Sequence, residues 1–345
     1  MNDGMRIPRS APWHIVALAS GVASASLWLS VFFAPLFLIP LQVAFGRLGK
    51  KGAGLAVAAA ILVLFPSEIW RVADASKAIA PIDVVAALAF PIGAVFALVL
   101  MNLPVLKRVP PSFRMLGLGL LAGALAAPAV ATILADEGLK TALTQSISQL
   151  MDRFMSALPK AADAQSSQGA VPSYDAAALL AGLDPAQMVA TTMKVFASIY
   201  AALFCLLFGG SWWIGSRLSG SVAATSAGAA PLSELRAPVA LVWPFLASLG
   251  LLLGVLYFKA GLAYQAAAWN LVLAMSLVYA VQGVGIVAHF LTRLHMPKGF
   301  RIVFAILVLI SAISSPIGAA LVAILPLLGL TELWIPYRNL KGVGA

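Results

Sequence analysis

The sequence predicts an all-α fold, a polytopic transmembrane helical bundle of about 8–10 membrane segments with one amphipathic helix outside the membrane. Three observations predict it. Of 345 residues 62% are apolar and only 10% charged, and the mean hydropathy is +0.99. A soluble core of this chain length cannot hide that much apolar surface. The apolar residues also come in long unbroken runs, such as Leu55–Phe65 and Phe245–Phe258. A membrane β-barrel would need alternation instead.

The first run, 13–31, follows Arg6 and Arg9 and contains Ala23-Ser24-Ala25, which together mimic a secretory leader. Because the apolar run continues through Leu27–Phe33, an uncleaved first span is the expectation. Segment 32–46 is short and carries Pro35 and Pro40, as a half-span or tilted helix would. Segments 53–70, 83–103 and 115–134 follow. Region 135–187 is the one sizeable extramembrane piece. Asp136 is placed to cap a helix, and Leu139, Leu143, Ile147, Leu150, Met151, Phe154, Met155 and Leu158 then recur at helical spacing. Such a stripe suits a helix lying at the membrane interface. The sharper alternative is a lid over an outward-opening site, with Phe154 or Leu150 touching the 257–269 loop. Asp184-Pro185 opens the next long helix, with Asp as cap and Pro in the first turn. Segments 188–215, 239–258, 267–291 and 302–330 complete the chain, the last interrupted by Ser314-Ser315-Pro316-Ile317-Gly318. The expected organisation is thus 1–134, N-terminal segments; 135–187, an extracytoplasmic loop; 188–345, C-terminal segments.

Charge orients the bundle. With the N-terminus inside, the inner loops hold thirteen Lys and Arg against Asp3 and Glu234 alone, while the outer loops and span ends hold nine acids and seven bases. This is the asymmetry of a bacterial inner-membrane protein with a cytoplasmic N-terminus. It also accounts for the net charge of +10 without nucleic acid, since no basic stripe interleaves with aromatics. Arg338 and Lys341 place the C-terminus inside as well, which requires the last segment to turn back at Pro316.

Several function classes lack their motifs. No GxxxxGK[ST] phosphate loop and no HExxH metal motif occurs, and His14, His289 and His295 are scattered. The single Cys205 can form no internal disulfide. No carboxylate is expected deep within a span, which argues against an ion-coupled carrier. The amides at membrane depth, Gln42, Asn102, Asn270 and Gln282, need partners there. Asn270 and Gln282 either bond across helices or, with Tyr257, Tyr264 and Trp269 above them, line a ligand site. Ala17, Gly21 and Ala25 form a small-residue face that suits close helix packing inside the bundle or docking of a partner membrane protein.

In the C-terminal third, Asn270-Leu271, Tyr279-Ala280-Val281-Gln282-Gly283, His289-Phe290-Leu291 and Met296-Pro297-Lys298-Gly299-Phe300-Arg301 resemble the YybS-like family of predicted bacterial membrane proteins. Leu235-Arg236-Ala237-Pro238, Pro40 with Arg47 and Lys50, and the tail Leu328-Gly329-Leu330, Glu332, Trp334 and Tyr337-Arg338 are similar to it too, although Pro336 stands where the family tends to carry a second acid. The resemblance implies a build similar to the S components of energy-coupling-factor transporters, which bind small molecules and dock on partners driven by separate ATPases. It carries over no ligand residue. The expected function is therefore a non-enzymatic membrane protein, without cofactor, that binds or transports a small molecule with energising partners. The alternative is a ligand-free scaffold for envelope growth or division.

The orientation makes a labelling prediction. In a Cys205-free background, an impermeant thiol reagent added from outside should label a cysteine at position 167 and spare one at 219. The reverse pattern would overturn the assignment.

Overall fold

A computed structural model describes residues 12–339 except 31, 76–80, 166–182, 220–233, 298, 302, 305–306 and 308–315. Among the described residues every regular element is helical. The main helices are α1 (Trp13–Leu29), α2 (Leu38–Ala75), α3 (Pro81–Met101), α4 (Pro111–Ala135), α5 (Glu137–Gln165), α6 (Pro185–Leu218), α7 (Val242–Tyr257), α8 (Leu262–Arg293) and α9 (Pro316–Thr331). Among the described residues five helical stretches are long and apolar enough to cross a membrane, the first counted through its break at Gly49: 34–71, 111–135, 185–218, 239–257 and 262–293. The chain divides into two compact units, 1–125 with 201–345, and 126–200.

The second unit is described by itself. Its α5 starts where the sequence placed the cap, with Asp136 Oδ1 accepting from the Leu139 N–H at 3.0 Å. Glu137 in the first turn complements the helix dipole. Asp184 likewise caps α6, its Oδ1 accepting from the Ala186 N–H at 3.0 Å. Leu150 on the apolar stripe is 67% exposed. The Phe154 side chain and residue 167 lie outside the described residues.

In the first unit, α2 is two helices rather than one. Gly49 interrupts it at φ 68° and ψ −165°, a conformation only glycine adopts without strain. The Trp28 ring packs on Phe37 at a centroid distance of 5.0 Å, and its Nε1 donates to Glu68 Oε1 at 2.7 Å. Phe37 and Glu68 would stand about 46 Å apart along a straight helix. Both reach Trp28, so the chain reverses at Gly49. Residues 38–48 span only about 16 Å, roughly half the hydrocarbon layer. The short proline-bearing segment is thus a half-length helix.

Small residues set the packing distances. Ala17, Gly21, Ser24 and Ala25 are buried, and a Cβ on Gly21 would collide with the backbone oxygen of Ala56 and with Ala59. The small face of α1 is therefore occupied by α2 of the same chain. The approach of α8 to α9 is closer still. A Cβ on Gly283 would run into the Leu325 carbonyl, and one on Gly329 into the Tyr279 carbonyl. Gly119 meets Cys205 in the same way across α4 and α6, so Cys205 faces the core and is 3% exposed. Rings join the N-terminal helices to α6, from Trp28 to Phe90 (5.3 Å) and from Phe90 to Phe204 (5.0 Å).

Helix α9 starts at Pro316, the position where the sequence placed a break. The residues leading into it, 308–315, lie outside the described residues.

Gly21→Leu should destabilise the protein by roughly 1–3 kcal/mol, as overpacking does. Gly54→Leu, where a side chain meets nothing within 4 Å, should not. Unfolding titrations of both variants in detergent check this, and equal effects would place the Gly21 face toward lipid.

Candidate functional site, a buried charged cluster

Residues Leu235 to Pro238 form an extended strap that enters a 3-10 turn, Val239–Leu241, and then α7. Strap backbone groups have no helical partners, and in an apolar medium each unmet one costs several kcal/mol. Two side chains from elsewhere meet them. Gln282 Oε1 accepts from the Ala237 N–H at 2.8 Å, and Arg338 Nη2 donates to the Leu235 carbonyl at 2.9 Å.

The same two side chains converge on a carboxylate. Gln282 Nε2 donates to Glu332 Oε2 at 2.8 Å, and Arg338 Nη2 donates to that oxygen at 2.9 Å. Arg338 Nε lies 2.8 Å from Glu332 Oε1, and both side chains are 4% exposed. The Nε–Oε1 contact is an ion pair. Arg338 Nη2 also reaches the Gln282 carbonyl at 3.4 Å. One carboxylate, one guanidinium and one amide thus tie together α8, the end of α9, the strap and the 3-10 turn Tyr337–Asn339.

This cluster changes the reading of two charges. Arg338 counts as a loop charge in the sequence, but it is spent on a buried ion pair. Glu332 stands in the tail of the sequence, yet it is 8% exposed and sits beside Gln282, well within the 32-residue α8. Glu332 follows the last residue of α9 and is buried because the chain folds back there onto α8. The sequence signal was the spacing of Glu332 and Arg338 immediately after an apolar helix.

Beside the cluster, Tyr279 is 1% exposed and stacks at a tilt on Phe245, ring centroids 5.2 Å apart. Its hydroxyl has no partner among the described residues.

Asn270 bonds elsewhere. Its Oδ1 accepts from the Ala201 N–H at 2.8 Å, and its Nδ2 donates to the Ala266 carbonyl at 2.9 Å. It stands twelve residues from Gln282 on α8, or about 18 Å along the axis. The structure does not bring these two amides into one place. Tyr257 and Tyr264 are 81% and 69% exposed, and Trp269 is partly exposed. The remaining amides pair with each other: Asn102 Nδ2 donates to Gln42 Oε1 at 2.8 Å, and Gln42 Nε2 reaches Ser216 Oγ at 3.4 Å. Close by, Arg114 Nη1 donates to the Met101 carbonyl at 3.1 Å, with its guanidinium 5.9 Å from the Trp212 ring centroid.

The model of a family described as a predicted membrane protein (DUF2232) matches residues 84–328. That stretch includes the strap and Gln282 and stops short of Glu332 and Arg338. No curated protein and no solved structure matches the chain.

Removing one member of a buried ion pair costs about 3–5 kcal/mol, because the other charge is left uncompensated. Arg338→Leu should therefore destabilise the protein by about that much, and Glu332→Leu/Arg338→Leu by less than Arg338→Leu alone. Unfolding titrations in detergent distinguish this from additive losses, which would mean that the two charges act independently.

Proposed function

The chain belongs to the DUF2232 family of predicted membrane proteins, and from that premise we propose that it is a non-enzymatic protein of the bacterial inner membrane that binds or moves a small molecule together with energising partners. The observation that carries this reading is the Glu332–Arg338–Gln282 cluster. Ionisable groups at membrane depth are costly, and where they are kept they generally serve a substrate or ion path. An ion pair bridged by an amide, next to a phenol with no partner among the described residues, offers charge and hydrogen bonds in an otherwise apolar surround, the usual composition of a small-molecule site. The resemblance to the YybS-like family, and through it to S components, adds the expectation of a partner that supplies energy.

The orientation belongs to the same reading, with the N-terminus and the loops around Lys50, Lys107, Arg217 and Lys298 cytoplasmic and 135–187 outside. It is supported by the grouping of Arg47, Arg114 and Arg217 at one end of the first unit. Ser219 is 6% exposed beneath Gly46, so Lys51→Cys is the better cytoplasmic reporter.

A second reading, a ligand-free scaffold, is favoured by one observation. Asn270 and Gln282 both spend hydrogen bonds on the protein itself.

Native mass spectrometry of the full chain, released from nanodiscs, separates the two. A retained non-lipid small molecule that is lost in Glu332→Gln supports the binding reading. No retained molecule, with Glu332→Gln changing stability alone, supports the scaffold and overturns the first proposal.

A further inference from the structure

Where α2 reverses, four cations from two segments far apart in sequence, the break in α2 and the last turn of α6, gather at one corner. Arg47 clamps the corner. Its Nε donates to the Ser219 carbonyl at 3.0 Å and its Nη2 to the Leu218 carbonyl at 2.6 Å. Gly46 lies so close to Ser219 that a Cβ would strike its side chain. The clamp holds the 47–51 turn against the C-terminal end of α6. Lys50 and Lys51 follow within a turn of Arg47, and Arg217 precedes Leu218 directly; all four cations are exposed. The Arg217 guanidinium lies 4.6 Å from the centroid of the Trp213 ring.

Among the described residues no carboxylate pairs with any of the four, since the three ion pairs are at Glu68, Glu137 and Glu332. Glu68, the first acid to follow along α2, is at the Trp28 end, away from the turn. The carbonyl end of α6 offsets Arg47 in part. Lys50, Lys51 and Arg217 stand exposed near half-buried Trp213, a residue type that sits at headgroup level. The topological charge rule requires excess cations on this side of the membrane. It does not require that separate segments converge on one clamped corner.

We propose that the Gly49 corner binds the phosphodiester headgroup of an anionic phospholipid, with Lys50, Lys51 and Arg217 on the phosphate and Trp213 at the glycerol level. Cationic corners between transmembrane helices have the right chemistry for such headgroups. The proposal does not depend on the small-molecule reading.

The test titrates short-chain phosphatidylglycerol, phosphatidylcholine and inorganic phosphate onto the full-length protein in neutral detergent, with bound lipid counted by native mass spectrometry. Phosphatidylglycerol should bind more tightly than phosphatidylcholine and weaken with salt. Lys50→Gln/Lys51→Gln/Arg217→Gln should weaken it roughly ten- to hundredfold. Lys140→Gln/Arg153→Gln/Lys194→Gln, which removes as many charges elsewhere, should leave it unchanged. If the triple variant does not fold, Lys50→Gln/Lys51→Gln carries the same expectation with a smaller loss. Equal binding of the two lipids, an equal loss in the control variant, or competition by inorganic phosphate at matching concentration would each overturn the proposal.

Discussion

The C-terminal half of this protein depends on a single buried interaction, the ion pair of Glu332 and Arg338 locked by Gln282. Leu235 to Pro238 is irregular backbone, and where such backbone is buried, as at Ala237, protein groups have to meet its N–H and C=O. Gln282 meets the Ala237 N–H and Arg338 the Leu235 carbonyl. Neither side chain could stay there alone, since a guanidinium without a counter-charge is too costly to bury. Glu332 supplies that charge and also accepts from the amide. Strap, helix end and tail therefore form together or not at all.

Around that centre the bundle is held by proximity. Between helices in lipid there is little hydrophobic driving force, so van der Waals contact has to supply the cohesion, and contact improves as backbones approach. Gly283 against Leu325 and Gly329 against Tyr279 bring α8 and α9 together at one crossing. The same crossing sets Glu332 beside Gln282. Gly21 does the equivalent work between α1 and α2. Because that face is occupied from within the chain, its small residues are explained by packing, with no partner protein needed.

Two kinds of charged group stand out in the first unit. Glu332 and Arg338 are buried and paired. Glu68, held by Trp28 and Arg71, is also buried on its own side. The cations of the Gly49 corner are exposed and share no acid. The first kind holds the fold together around a buried polar point, and the second presents charge on the surface.

The sequence by itself determined the membrane class, the helical fold, most segment limits and both Asp caps. Each of these rests on local properties: apolar run length, helical period, or an Asp one residue before a helix. It also marked a break at 314–318 and 32–46 as a short segment. The pairing of side chains was decided by the tertiary structure alone. Asn270 and Gln282 read alike in the sequence, as amides on one span, yet one braces α6 and the other braces the strap and Glu332. Arg338 reads as a loop charge and is a buried, paired one. The reversal at Gly49 was legible as a break, but what it gathers was not. In each case the physical reason is the same. Hydropathy and period report how a segment meets the bilayer, whereas the partner of a polar group depends on which distant residue the fold returns to its side.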